Sequence, residues 1–243
     1  LPRTPGSLRG GSSAGLVGYN GIDYTIDSGA SGAGNTPTRR EGVSKWANTS
    51  SQITSVQAIA NTSTFASGSE VVVLGCDNDE ADSGTNKWEE LLNESGTGNI
   101  ATSTFTAKKY LMFDIHIVAT GSRCQPVLRF NGDTGSNYTT RFSHNGAADG
   151  TNTSTAYIVT QDTMPGNANT KISGSIINTS SNEKLVISHQ VANEADTAGA
   201  SSVMDRTESF AKWANTSAQI TSIQTLMNTG TISTWETKVW GFD

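Results

Sequence analysis

Apolar and polar residues alternate from Leu111 through Met112, Phe113, Asp114, Ile115 and His116 to Ile117, which puts Leu111, Phe113, Ile115 and Ile117 on one face. A period of two marks a strand with one side buried. Val127-Leu128-Arg129-Phe130 predicts the next strand, closed by the turn Asn131-Gly132-Asp133-Thr134-Gly135, in which Asn-Gly supplies a positive φ. Further short strands are predicted at 138–142, 156–160, 171–177, 184–191, 208–213, 220–226 and 236–242, separated by Gly, Asn, Ser and Thr turns. Only Lys87-Trp88-Glu89-Glu90-Leu91-Leu92-Asn93 reads as a helix, entered at Ser83 or Thr85, left near Gly96, and placed to plug one end of the fold. The pattern predicts an all-β chain, a jelly-roll-like antiparallel β-sandwich with one short helix.

The chain also repeats itself. Lys45-Trp46-Ala47-Asn48-Thr49-Ser50 returns as Lys212-Trp213-Ala214-Asn215-Thr216-Ser217, and the match runs on to Gln57 and Gln224. The offset from Trp46 to Trp213 is 167 residues; it carries Arg39 onto Arg206 and Glu41 onto Glu208. Such self-similarity means one supersecondary unit used twice. Residues 79–243 are long enough for a complete sandwich, residues 36–78 form a partial copy of its last part, and residues 1–35 are a Gly/Ser-rich arm. A partial sandwich exposes strand edges, so residues 1–77 are expected to lean on the second unit or on a neighbouring subunit.

Composition narrows the function. Only 16% of residues are charged, against about a quarter in an average chain. Thr, Ser, Asn and 25 glycines fill the polar quota, which excludes a helical bundle. A net charge of −6 without clustered Lys or Arg gives no nucleic-acid groove. No apolar run approaches the roughly 20 residues of a helical membrane span. The start Leu1-Pro2-Arg3 reads as a processed product or a fragment. Cys76 and Cys124 make neither a disulfide framework nor a zinc site and read as small buried or half-buried thiols.

Candidate chemistry is sparse. His116 and His189 fall at solvent-facing strand positions and His144 in a turn, so no catalytic residue is assigned. Asp77, Asp79 and Asp82 offer oxygens of the kind Ca²⁺ takes, but Ala81 breaks the ligand pattern and the closing Glu is missing. That segment therefore reads first as a solvated linker, with Ca²⁺ as the one cofactor to consider. Glu89 and Glu90, adjacent on the expected helix, point apart and make no acid pair. The recurring Arg39/Glu41 and Arg206/Glu208 read as structural ion pairs, and Trp46 and Trp213 as packing residues. Tyr138, Tyr157 and Trp235 are the aromatics that could stack on a sugar. Seven Asn-x-Ser/Thr sequons, at Asn48, Asn61, Asn93, Asn137, Asn152, Asn178 and Asn215, follow from a composition rich in these residues.

Three segments together resemble a family of β-sandwich modules in virion structural proteins of tailed phages and marine viruses. They are Lys87-Trp88-Glu89-Glu90-Leu91-Leu92 with Phe105 to Leu111; Leu128-Arg129-Phe130-Asn131-Gly132-Asp133-Thr134-Gly135-Ser136-Asn137-Tyr138; and Lys212 to Thr221 running on to Trp240-Gly241. The resemblance covers about residues 84–243, and residues 28–77 look like the end of another copy. It implies a non-enzymatic part of the virion surface, a capsid decoration or a tail-fibre or appendage component. Its partners would be itself, as a homo-oligomer, and other virion proteins, with a host-surface glycan or receptor as a further ligand. The alternative from another class is a secreted or virion-borne glycan-binding module.

Overall fold

The computed structural model describes residues 21–25, 32–36, 38–42, 54–61, 64, 65, 67, 69, 71, 88–160, 164, 165, 168–193 and 204–243. The chain divides into two compact units, Leu1–Ile22 with Glu41–Thr85, and Asp23–Arg40 with Asn86–Asp243.

All regular structure among the described residues is β, and every pairing described is antiparallel. Strands β1 (Gly21–Thr25) and β2 (Thr38–Gly42) form a two-stranded sheet. The main sheet contains β3 (Glu89–Thr97), β4 (Ile100–Ala101), β5 (Tyr110–Phe130), β6 (Tyr138–His144), β7 (Gly150–Thr155), β8 (Ile158–Val159), β9 (Met164–Pro165), β10 (Asn169–Ile177), β11 (Lys184–Asn193), β12 (Met204–Trp213) and β13 (Ile223–Phe242). Its main order is β3-β13-β5-β10-β11-β12-β6-β7, with β4 on β13 and both β8 and β9 on β5.

Two long strands organise this sheet. β5 and β13 pair from Phe130↔Ile223 to Tyr110↔Phe242, with register shifts between Met227 and Thr234. Gly121 and Gly230 take positive φ (131° and 83°) at this irregularity, a conformation in which a side chain would clash. On one side of it β5 pairs with β10, on the other with β8, so the sheet curls toward a barrel. Val159 on β8 completes the curl: its N–H donates to Thr140 Oγ1 (3.3 Å) on β6, and its carbonyl accepts from Ser209 Oγ (3.1 Å) on β12.

The alternation at 111–117 is realised as read. Leu111, Phe113, Ile115 and Ile117 are buried, while Met112 and His116 face solvent. They join Leu92, Ile100, Phe105, Leu128, Phe130, Ile172, Ile176, Val186, Trp213, Ile223 and Val239 in one core. Gly174 lies opposite Phe113, and a Cβ there would overlap both that ring and the Ile187 carbonyl oxygen.

Three readings change. The expected helix at 87–93 is overturned: residues 89–97 form β3, antiparallel to β13 from Glu89↔Gly241 to Thr97↔Thr234. Seven helix-forming residues are too few to hold a helix alone. The ladder along β13, together with the burial of Leu92, wins over local propensity. The strands expected at 111–117 and 127–130 are both parts of β5, and 223–226 joins 236–242 in β13. The Thr- and Gly-containing residues between them read as turns by composition but pair across the bulges.

Candidate functional site

A dense polar organisation lies where the repeated segment closes one end of the curled sheet. β12 ends at Trp213, β13 begins at Ile223, and residues 214–222 close the gap between them. Asn215 Oδ1 accepts from the N–H groups of Ser217 (2.9 Å) and Ala218 (2.8 Å), folding the segment into a local turn. Asn178, fully buried, receives the Ile220 N–H on Oδ1 (2.6 Å) and donates Nδ2 to the carbonyls of Lys108 (2.9 Å) and Ile220 (3.1 Å). Its own carbonyl accepts from Gln219 Nε2 (2.8 Å). Asn131 does the same from the other side: Oδ1 takes the N–H groups of Thr221 (2.8 Å) and Ser222 (3.1 Å), and Nδ2 donates to the Gln219 carbonyl (2.7 Å).

The turn holding Asn131 is itself shaped for this. Asn131 and Gly132 both take positive φ (50° and 67°), and the Asp133 N–H returns to the Phe130 carbonyl at 2.9 Å. The turn joins β5 to β6, which have different neighbours and do not pair with each other. Asp133 Oδ1 accepts from the Gly135 N–H (2.8 Å), and Oδ2 accepts from Asn137 Nδ2 (2.9 Å) and Trp213 Nε1 (2.6 Å). Partial burial pushes the Asp133 carboxyl up; the hydrogen bonds from Trp213, Asn137 and Gly135 and the charge of Arg129 outweigh it and hold the pKa below the ordinary value. Trp213 stacks on Tyr138 (centroids 6.3 Å apart, planes at 14°), with Phe130 tilted against both. Burial also pushes the Tyr138 phenol well up, and its hydroxyl accepts from the Phe130 N–H (3.0 Å).

A second set covers the outward side of β12. Lys212, with no exposed surface, pairs with Glu183 Oε2 at 3.1 Å, and Glu183 Oε1 accepts from the Gly32 N–H at 2.6 Å. The Ala33 carbonyl accepts from the Thr139 hydroxyl and from the Ser154 N–H, and Thr36 Oγ1 accepts from Arg141 Nη2 (3.4 Å). Residues 32–36 thus form a strap over β6 and β7, tied also to Glu183. Lys184, also fully buried, donates to the carbonyls of Asn182 (2.6 Å) and Asn215 (2.8 Å), and burial lowers its pKa.

The residues singled out by sequence fall as follows. Trp213 is buried at the end of β12, whereas Trp46 lies outside the described residues. Arg206 and Glu208 pair on the surface of β12 at 3.1 Å. Arg39 and Glu41 lie on β2, whose side chains are not described. The 167-residue offset carries β1 onto 188–192 and β2 onto 205–209, inside β11 and β12, so the strands repeat as well as the sequence. Asp77, Asp79 and Asp82, the Ca²⁺ candidates, lie outside the described residues, as does Cys76. Among the described residues no group of three or more His, Cys, Asp or Glu could hold a metal. Cys124 is a buried thiol donating to the Thr120 carbonyl at 3.6 Å.

His116 and His189 face solvent. His144 sits between Thr207 Oγ1 (3.1 Å from Nδ1) and Asp205 Oδ1 (3.8 Å from Nε2). That set resembles a nucleophile, base and carboxylate in composition only, because Thr207 is 1% exposed and out of a substrate's reach. Of the sugar-stacking aromatics, Tyr138 is fully buried, Trp235 is half-buried and packs against the core, and Tyr157 is half-buried. Asn178, Glu183 and Lys184 carry much of this architecture; the sequence marked Asn178 only as a sequon and did not single out the other two. Isolated polar residues in Asn- and Lys-containing strands give no local sign that they are buried.

No protein-family model, curated protein or solved structure matches this chain.

Proposed function

We propose that the chain is a non-enzymatic structural module of a virus particle, displayed on the virion surface as a capsid decoration or a tail-fibre or appendage component. Its partners would be further copies of itself and other virion proteins. The observation that carries this reading is what the repeat preserves. In the second copy Lys212, Trp213, Asn215, Gln219 and Ile220 all serve the closure of the curled sheet, through the ion pair to Glu183, the bond to Asp133, the local turn and the Asn178 bridge. A chain that repeats its folding residues rather than a chemical site behaves as a tandem scaffold. The sequence resemblance to virion sandwich modules points the same way. No helix among the described residues is long and apolar enough to cross a membrane.

The glycan-binding alternative is weakened by the burial of Tyr138 and the packing of Trp235. The deciding experiment is immunogold electron microscopy of purified particles from the source, using an antibody raised against the chain. Regular labelling of heads or tails is expected; particles without label, from a preparation whose cells contain the protein, would overturn the reading.

A further inference from the structure

The sheet formed by β13, β5, β10 and β11 turns an apolar surface outward at one end. Across these strands, pairing aligns Phe242, Tyr110, Ile177 and Leu185 in one row and Trp240, Met112, Ser175 and Ile187 in the next. Met112 is 44% and Ile177 40% exposed, and Trp240, Phe242, Leu185 and Ile187 are half-buried around them. Neighbouring strands place such side chains about 5 Å apart, so the six form one continuous patch. Contiguous apolar surface of this kind marks a docking site.

The next two rows carry charge in matched pairs: Lys238 with Glu236 (2.9 Å), Lys171 with Asp114 (2.8 Å) and Arg206 with Glu208 (3.1 Å). These pairs sum to zero on a chain whose net charge is −6. Copies of an acidic chain repel over most approaches, and a charge-balanced face removes that penalty where the apolar rows can meet. Four strands about 4.8 Å apart and about 30 Å long give a face of roughly 600 Å². Side-chain relief brings it near the roughly 800 Å² per partner of a stable interface.

We propose that this face is a self-association surface, covered by the same face of a second copy of this chain about a two-fold axis. The proposal rests on the assembly reading above and names the surface that reading leaves open. Met112 and Ile177 are the centre of the contact, and the charged rows form its rim.

The test is sedimentation velocity of the full chain over a wide concentration range, with Met112→Lys, Ile177→Lys and, as a control on the edge strand β7, Thr151→Lys. The wild type is expected to self-associate, the two face variants to weaken association at least tenfold with an unchanged circular-dichroism spectrum, and Thr151→Lys to leave it unaltered. If a face variant misfolds, Met112→Cys serves instead: mild oxidation should give covalent dimers that neither the wild type nor Thr151→Cys forms. Self-association that ignores the face variants, or Met112→Cys that stays uncross-linked, overturns this surface and leaves the assembly reading standing. A wild-type monomer at every concentration also overturns it, including the case in which residues 41–85 of the same chain cover the patch. Particle labelling decides the assembly reading separately.

Discussion

Trp213 Nε1 donates to Asp133 Oδ2 at 2.6 Å, joining the end of β12 to the turn after β5 across 80 residues of sequence. The tryptophan is 1% exposed, so its N–H has lost water and depends on that carboxylate. Trp213→Phe keeps the ring stacked on Tyr138 but removes the donor. A loss of about 1.5–3 kcal/mol is expected, the range for a hydrogen bond to a charged group, read from the urea midpoint.

Asp133 makes this bond sensitive to acid. Its folded pKa lies below the ordinary 3.8, so its stabilisation is complete above that value and fades as pH falls through the folded value. Asp133→Asn should therefore be less stable than the wild type at pH 7, with the difference shrinking as pH drops below about 4. Thermal melts of both proteins between pH 2.5 and 7 check this; a difference that stays constant counts against it.

Lys184 has the opposite reach in pH. Burial lowers its folded pKa below 10.5, so between that lowered value and 10.5 the unfolded chain holds the extra proton. The contribution of this position to stability then rises with pH through the window. Compared with Lys184→Met, the wild type should gain stability as pH rises toward 10.5, measured by urea unfolding at each pH.

Asn178 bridges the β10 end to the closing segment with no exposed surface. Asn178→Ala strands the buried Ile220 N–H and should cost about 2–3 kcal/mol. Hydrogen exchange should rise first at residues 219–223, ahead of the β5 and β10 core. The same burial means that the sequon at Asn178 serves folding and is closed to glycosylation in the folded chain.

Gly174 is a matter of volume. A Cβ there would meet the Ile187 carbonyl oxygen and the Phe113 ring, so Gly174→Ala should destabilise by about 1–3 kcal/mol through overpacking. Combining it with Phe113→Leu should not restore stability in the same melting assay, because the Ile187 carbonyl stays in the way.

Much of the all-β fold was legible in the sequence because burial on one face of a strand leaves a period of two. Leu111, Phe113, Ile115 and Ile117 declared their strand directly, and the turn at Asn131-Gly132 declared its positive φ. β3 was not legible, since Trp88-Glu89-Glu90-Leu91-Leu92 has helical composition, and only the free edge of β13 makes a strand of it. The polar closure was half legible. The repeat marked Trp213, Asn215 and Gln219 as important, but their partners Asp133, Asn178 and Glu183 come from distant strands with no pattern of their own.

By itself, then, the sequence determined the class of fold, the inward face of the central strand and the existence of a repeated unit, because each leaves a periodic trace along the chain. Tertiary structure decided which strands are continuous, which polar groups are buried together and which apolar side chains remain outside. Those depend on pairings between residues far apart in the chain, where hydrogen-bond satisfaction and packing override local preference. Met112 and Ile177 make the point: each alternates with core residues as any outward strand residue does, and only the register of β5 against β10 sets them on adjacent rows of one exposed patch.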